Sequence, residues 1–282
     1  AGGWTKFKSV KYFTRYAKFV AENLGNLVDY WITINEPALY ADMTYLEGFW
    51  PPQQKNPKKF FLVYLNMARA HKKAYKIIHS AVDKGNQRSM VGIAQNVISF
   101  TSYKKHRLLE LFYIHFADRL VNHSFFDLTK KGHDFLGVNF YFRVRMAQKE
   151  KSLMPEIIEV KNSEKEVSDM GWLIYPHGLF SVLMDFKDFD LPIFITENGV
   201  AAEDDKKRQK FLIDHLAEVH RAIQNGVNVS GYFHWSLLDN FEWDKSFGPK
   251  FGLVEINFKT LERKLKPSGK FYAEICLSLI HI

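Results

Sequence analysis

The chain of 282 residues is long enough for one large domain, and its hydrophobic content of 46% and charged content of 25% are those of an ordinary globular protein. Its net charge of +8 comes from scattered lysines without a basic stripe interleaved with aromatic residues, which argues against nucleic acid as a partner. No apolar run is long enough to span a membrane. We therefore expect neither a nucleic-acid partner nor a membrane partner.

The number of cysteines and the first residues of the chain indicate in which cellular compartment we expect the protein. Cys276 is the single cysteine, so the chain has no internal disulfide and no cysteine cluster for a metal. No secretory signal peptide is recognisable at the start of the chain, which begins with Ala1. We expect a cytoplasmic location from these features.

Apolar segments typical of buried strands alternate along the chain with amphipathic helical segments. The strands are nearly continuous apolar runs, as expected for parallel strands that are buried on both faces. In chain order they are predicted at 30–34, 90–94, 135–141, 192–196 and 229–238. This alternation predicts an α/β fold with a parallel sheet or barrel, in one domain that spans residues 1–282.

Apolar residues at helical spacing predict helices between these strands. The helix that carries Leu212 and Ile223 is predicted to end at Asn225-Gly226, before the last strand. The polar connection at 148–169 has no clear periodicity, and we interpret it as an excursion loop above the sheet. The faces that we expect to be buried are formed by Phe61, Leu65, Ala68 and Ile78, by Leu109, Phe112, Phe116 and Leu120, and by Leu212, Leu216, Val219 and Ile223.

Two of the predicted strands end on a glutamate beside an asparagine, Asn35-Glu36 in TINEP and Glu197-Asn198 in TENG. Reactive groups gather at the carboxyl ends of strands in parallel α/β folds, so we expect the two carboxylates to face each other across one pocket. Acetal hydrolysis requires such a pair, because one acid protonates the departing oxygen while the other attacks or activates water. Either glutamate alone would be explained as an exposed loop carboxylate.

The last predicted strand adds aromatic residues and a third carboxylate. HWSLLDNFEW, at 234–243, brings together Trp235, Glu242 and Trp243. Indole rings stack on the C–H face of a pyranose, and carboxylates bind neighbouring hydroxyls. Two core tryptophans and a surface glutamate would explain this stretch by itself, but in combination with the two Asn/Glu strand ends it favours a sugar site.

Together these stretches resemble the glycoside hydrolase family 1 β-glycosidases (β-glucosidases), which are retaining enzymes on a (β/α)8 TIM barrel. The resemblance runs from Gly2 to about Glu274. It is carried by five motifs, which are WITINEP (31–37), DFLGVNFY (134–141), DMGWLIYPHGL (169–179), PIFITENG (192–199) and GYFHWSLLDNFEWDKSFGPKFGLV (231–254).

The resemblance implies a role for each matching residue and requires no cofactor. Glu36 would be the general acid/base, and Glu197 would be the nucleophile, held ionised by a hydrogen bond from Tyr141. In retaining glycosidases the two carboxyl groups stand about 5–5.5 Å apart. The implied substrate-binding residues are Asn35, Asn96, Asn139, Tyr141, Trp172, Trp235, Glu242, Trp243 and Phe251.

The chain also departs from the family pattern. AGGW, at 1–4, matches the family's loop after the third strand, so we expect about five of the eight βα units and an N-terminally truncated barrel. The open edges of such a sheet predict self-association or recruitment of a complementing N-terminal fragment.

Two other functions compete with hydrolysis of terminal β-D-glucosides or β-D-galactosides. The first is hydrolysis of phosphorylated glycosides, which we reject because the charge of Glu242 would repel a phosphate. The second is a catalytically inactive protein that binds carbohydrate or a partner chain. The sequence does not separate glucose from galactose preference.

Overall fold

The structure is a computed structural model that describes residues 2–83, 88–102, 108–148, 155–158 and 167–278. The helices in this part of the chain are α1 (Lys8–Leu24), α2 (Pro37–Tyr45), α3 (Pro57–Val82), α4 (Leu108–Asp118), α5 (Ser124–Thr129), α6 (Pro176–Phe186), α7 (Asp205–Gln224) and α8 (Pro267–Ser278). The strands are β1 (Tyr30–Asn35), β2 (Met90–Ser102), β3 (Leu136–Gln148), β4 (Pro155–Ile158), β5 (Ile193–Asn198), β6 (Val229–His234), β7 (Val254–Ile256) and β8 (Arg263–Leu265).

The main sheet has the strand order β1-β2-β3-β5-β6, and β4 pairs with β3. β1 and β2 run parallel, with Tyr30 opposite Met90 and Asn35 opposite Ala94, and their register shifts between Ile32 and Asn35. β7 and β8 form a separate antiparallel pair. All five predicted strands are present in this sheet. The last of them ends at His234, four residues before the predicted end. Beyond it, the backbone N–H of Ser236 donates to the carbonyl of Phe251 at 3.3 Å, and the N–H of Leu253 donates to the carbonyl of Ser236 at 2.9 Å.

The described residues fall into two compact units. Unit 1 comprises residues within 1–96, 119–138 and 191–194. Unit 2 comprises residues within 97–118, 139–190 and 195–282. That the whole chain forms one domain stays a prediction.

In unit 1, α1 and α3 pack together over the start of the sheet. Ala21, Ile78, Val82 and Val91 form a buried cluster, with Trp31 packed against it. α3 begins where the Asn56 side chain accepts a hydrogen bond from the backbone of Lys59 at 3.1 Å.

The predicted face of α3 is only half correct. Ala68 and Ile78 are buried, but Phe61 and Leu65 are exposed. The helix turns a different stripe inward, formed by Val63, Met67, Ala70, Ala74 and Ile78.

In unit 2, α7 packs against α6 and α8. It buries Phe211, Leu212 and Val219, whereas Ile223 in the last turn is exposed. The helix ends at Gln224 before Gly226, whose φ of 81° is the left-handed conformation that glycine adopts at helix ends. This confirms the predicted end of the helix.

The predicted buried face of the second helix is wrong in the described part of the chain. Phe112 and Phe116 of α4 are 63% and 58% exposed, and the helix instead buries Glu110, which accepts a hydrogen bond from Ser102. Leu120 lies beyond the end of α4 and is 56% exposed. The Leu109 side chain lies outside the described residues. Within the connection at 148–169, β4 pairs antiparallel with the end of β3, and most of the remaining connection lies outside the described residues.

Candidate active site

In unit 1, Glu36 lies where the chain leaves β1 and enters α2. Its φ of 47° and ψ of 51° are left-handed values, which a residue other than glycine adopts at some cost. Its backbone N–H donates to the carbonyl of Ala94 at 2.7 Å, which continues the β1–β2 ladder by one residue. The side-chain amide of Asn96 donates a long hydrogen bond, 3.4 Å, to Glu36 Oε1. The structure therefore brings Asn96 and Glu36 together, while the preceding Asn35 is exposed.

A buried histidine pair supports β1 in the same unit. Thr33 Oγ1, on β1, hydrogen-bonds His71 Nδ1 of α3 at 2.7 Å. The ring of His71 stacks on that of His133 with 4.7 Å between centroids, and His133 Nε2 hydrogen-bonds Thr129 at 2.7 Å. Burial lowers the pKa of His71 to about 4 and the pKa of His133 to about 3, so both rings are neutral at pH 7. Sequence reasoning missed this pair, since a lone histidine on an apolar helix face carries no distinctive signal.

In unit 2, Glu197 lies one residue before the end of β5 and is partly buried. The hydroxyl of Tyr141, on β3, donates a hydrogen bond to Glu197 Oε2 at 2.6 Å. Hydrogen bonds to a charged acceptor are short and strong, and this one favours the ionised carboxylate. Asn139 lies two residues earlier on β3, where its fully buried side chain accepts a hydrogen bond from Thr196 Oγ1 at 2.5 Å.

Aromatic rings surround Tyr141. Its ring centroid lies 5.7 Å from that of Trp172 and 6.2 Å from that of Phe251, and the Trp172 and Phe251 rings are 6.3 Å apart. Trp235 packs against the same cluster. Of the predicted site residues, Glu197, Tyr141, Trp172, Trp235 and Phe251 are thus gathered in unit 2. Such a group of aromatic faces next to a carboxylate has the chemistry of a sugar-binding surface.

The loop after β6 carries the other two predicted residues. Trp243 opens a single helical turn, and the backbone N–H of Glu242 donates to the carbonyl of Ser246 at 2.7 Å. Glu242 is partly buried, whereas the Trp243 side chain is 63% exposed. The structure therefore presents this indole at the surface rather than in the aromatic cluster around Tyr141.

A buried ion pair that the sequence did not reveal holds the segment that carries Phe251. Asp239 is almost fully buried, accepts a hydrogen bond from the backbone of Gly252 at 2.8 Å and pairs with Lys266 at 3.2 Å. Nothing in the sequence LLDN around Asp239 indicates that its partner is Lys266, which lies between β8 and α8.

Among the described residues, no group of three or more His, Cys, Asp or Glu side chains is arranged to bind a metal ion. None of the helices in that part is long and apolar enough to cross a membrane.

With the strands β1-β2-β3-β5-β6 in one sheet, the chain has the fold of part of a TIM-barrel β-glycosidase. The β-glycosidase from Pyrococcus horikoshii superposes with a TM-score of 0.88 at 35% identity, over 97% of this chain and 66% of that chain. The model of Glycosyl hydrolase family 1 matches residues 1–133 and 119–278. The chain therefore belongs to glycosyl hydrolase family 1.

Curated relatives include two chloroplastic plant proteins. The chain is 35% identical to the β-glucosidase-like SFR2 of Oryza sativa subsp. japonica, over 97% of this chain and 43% of the relative. It is 32% identical to the galactolipid galactosyltransferase SFR2 of Arabidopsis thaliana, over 98% of this chain and 45% of the relative. The chain thus spans less than half the length of these two proteins.

Proposed function

We propose that the protein hydrolyses terminal β-D-glucosides or β-D-galactosides with retention of configuration at the anomeric carbon. The observation that carries this proposal is the hydrogen bond of 2.6 Å from Tyr141 to Glu197. It holds one carboxylate oxygen in place and favours its charge, which are the two properties that a nucleophile needs. Family membership and the aromatic cluster around Tyr141 support the same assignment.

Glu36 is proposed as the general acid/base. In the first step it protonates the glycosidic oxygen while a Glu197 oxygen attacks the anomeric carbon, so the aglycone leaves and an ester to Glu197 forms. In the second step Glu36 removes a proton from water, which attacks the same carbon and releases Glu197. The amide of Asn96 beside Glu36 supports this role, because a neutral donor can pair with the carboxyl group in either protonation state.

The remaining predicted residues are proposed to bind the sugar. Asn35 and Asn139 would act near the reacting carbon, Trp235 would support the sugar ring, and Glu242 and Trp243 would hold hydroxyls far from the scissile bond. No metal or organic cofactor is needed for these steps. The cytoplasmic location also stays a proposal, and cell fractionation tests it.

The first test is turnover of a chromogenic aryl β-glucoside. Glu197→Ala and Glu36→Ala should each abolish or severely reduce release of the aryl alcohol, and nuclear magnetic resonance of the first product should show the β-anomer. Glu22→Ala is the matched control, because Glu22 is a half-exposed glutamate of α1 that pairs with Lys18 on the same helix. Turnover that survives Glu197→Ala would contradict the proposal. Saturable binding of the glucoside without turnover would instead favour an inactive carbohydrate-binding protein.

A second candidate is transfer of the sugar to a hydroxyl other than water. One relative is named a galactosyltransferase, and an ester to Glu197 would serve hydrolysis and transfer equally. Adding a second sugar as acceptor separates the two functions. Transfer predicts that disaccharide product replaces free monosaccharide, whereas hydrolysis predicts free monosaccharide at the same rate of aglycone release.

A further inference from the structure

We propose that Asn198 and Tyr232 are positioning residues, which set the geometry between Glu197 and Tyr141 from behind the nucleophile. This inference rests on the proposed function, since it assigns a catalytic consequence to their contacts. Asn198 follows the nucleophile in TENG, and Tyr232 lies on β6.

Asn198 uses both ends of its side-chain amide. The side chain is fully buried, and its Nδ2 donates to the backbone carbonyl of Phe140, on β3, at 2.6 Å. Its Oδ1 accepts a hydrogen bond from the Tyr232 hydroxyl at 2.8 Å. One side chain therefore joins β3, β5 and β6, and we call this set of contacts the Asn198 clamp.

The Asn198 clamp lies one residue away from the Tyr141–Glu197 hydrogen bond on both strands. Phe140 precedes Tyr141 on β3, and Asn198 follows Glu197 on β5. Successive side chains on a strand point to opposite faces, so the clamp ties the two strands behind the face that carries Tyr141 and Glu197. The distance between the tyrosine hydroxyl and the carboxylate is thereby fixed by a contact that does not touch substrate.

The backbone of this segment is held as well. The N–H of Trp235 donates to the carbonyl of Asn198 at 3.0 Å. A Cβ at Gly199 would lie 1.8 Å from the carbonyl oxygen of Trp235, so only glycine fits there. The end of β5 is thus enclosed by the backbone of Trp235.

Tyr232 is the donor that keeps the clamp oriented. Burial raises the pKa of Tyr232 well above its ordinary value, so the hydroxyl keeps its proton and donates. The Tyr272 hydroxyl of α8 in turn donates to the backbone carbonyl of Tyr232 at 3.1 Å. Without the Tyr232 donor, Asn198 Oδ1 would be a buried acceptor without its partner, and the amide would be free to turn away from Phe140.

The experiment compares Tyr232→Phe and Asn198→Ala with two matched controls. Tyr64→Phe removes an equivalent hydroxyl, which pairs with Ser124 at 2.6 Å. Asn66→Ala removes a buried asparagine whose Nδ2 donates to the carbonyl of Trp4 at 2.9 Å and whose Oδ1 accepts from Arg69. Both controls lose part-buried hydrogen bonds between residues of unit 1, whereas the Asn198 clamp is formed by residues of unit 2.

Two readouts are measured on each variant. The first is the carbon-13 resonance of the Tyr141 phenol carbon, assigned with Tyr141→Phe in tyrosine-labelled chain. The second is kcat and KM on an aryl β-glucoside. We expect both clamp variants to shift the Tyr141 resonance and to lower kcat by roughly ten- to a hundredfold with little change in KM, since displacing a reacting group by about 1 Å has this size of effect.

The controls should lose stability but change neither readout. An unchanged Tyr141 resonance in Tyr232→Phe, or kcat reduced no further than in the controls, would overturn the positioning role. If Asn198→Ala does not fold, Tyr232→Phe decides alone. If the clamp variants shift the Tyr141 resonance but the unsubstituted protein shows no turnover, the result supports the role of the Asn198 clamp in positioning Tyr141. It contradicts the proposed function instead.

Discussion

Replacing Gly199 with alanine would place a methyl group against the backbone of Trp235. The added Cβ would lie 1.8 Å from the Trp235 carbonyl oxygen and 2.8 Å from its carbonyl carbon. An ordinary contact begins near 3.4 Å, so the segments must separate by about 1.6 Å. Because the obstructing atoms are backbone, no side-chain rotation relieves this overlap.

The size of the effect follows from that displacement. Overpacking a tight site costs about 1–3 kcal/mol of the free energy of unfolding. If the movement is taken up by β5, Glu197 shifts by a similar distance and kcat falls on the order of a hundredfold. If it is taken up by Trp235, the proposed sugar platform moves and KM rises instead.

The assay combines urea unfolding with steady-state kinetics on an aryl β-glucoside. Gly248→Ala is the matched control, since its added Cβ would meet only the carbonyl oxygen of Lys245, at 3.3 Å. We expect Gly199→Ala to lose more stability than this control and to impair kcat or KM. Stability and kinetics equal to those of Gly248→Ala would refute the reasoning about the enclosed end of β5.

Three further predictions concern stability. His71 should contribute about 3 kcal/mol to the fall in the free energy of unfolding between pH 6.5 and pH 4, because the unfolded chain takes up a proton that buried His71, with a pKa of about 4, does not; urea unfolding at both pH values measures this share as the difference between the parent and His71→Asn, and a His71→Asn variant with the same pH slope would contradict it. The fully buried Arg208 of α7 pairs with Asp205 at 2.7 Å, and Arg208→Leu should cost about 2–3 kcal/mol of the free energy of unfolding, less than the ~3–5 kcal/mol for a fully buried pair because Asp205 keeps partial access to water. Arg221, on the same helix, is half exposed and pairs with Glu218 at 3.3 Å, so a loss no larger than that of Arg221→Leu would contradict the expectation. Phe251→Ala should cost about 3–5 kcal/mol through the cavity it leaves beside Tyr141 and Trp172, and thermal unfolding with unchanged midpoint would oppose that expectation.

The strands and the end of α7 were predictable from sequence because their signals are local. A continuous run such as IFIT needs burial on both faces wherever it lies, and Asn225-Gly226 ends a helix without help from distant residues. The family motifs likewise located Glu36 and Glu197 at strand ends, where the structure has them.

The contacts of Asn35 and Asn198 were not predictable. Each asparagine stands beside a glutamate at a strand end, and nothing within the two motifs distinguishes a buried asparagine from an exposed one. In the structure Asn35 is exposed, whereas Asn198 is fully buried between partners 58 and 34 residues away. Long-range packing decides this difference, and the spacing of residues within either motif does not encode it.

The buried faces of α3 and α4 were predicted incorrectly for a related reason. The period of apolar residues gives two overlapping stripes on α3 and α4, and the neighbour that covers one of them decides which is buried. On α4 a polar contact between Glu110 and Ser102 outweighs the aromatic stripe. Self-association through the exposed apolar residues of β1, such as Tyr30 and Ile32, stays a prediction that sedimentation tests.

The central claim is that Glu197 attacks the sugar, and trapping the ester tests it most directly. The chain is incubated with an activated glucoside that carries fluorine beside the anomeric carbon, which slows release of the sugar from the enzyme. We predict that mass spectrometry of the digested chain will find one fluoroglucosyl group on the peptide that contains Glu197, and none in Glu197→Ala. An adduct on another residue, or continuing turnover of the aryl glucoside without any adduct, would contradict the claim.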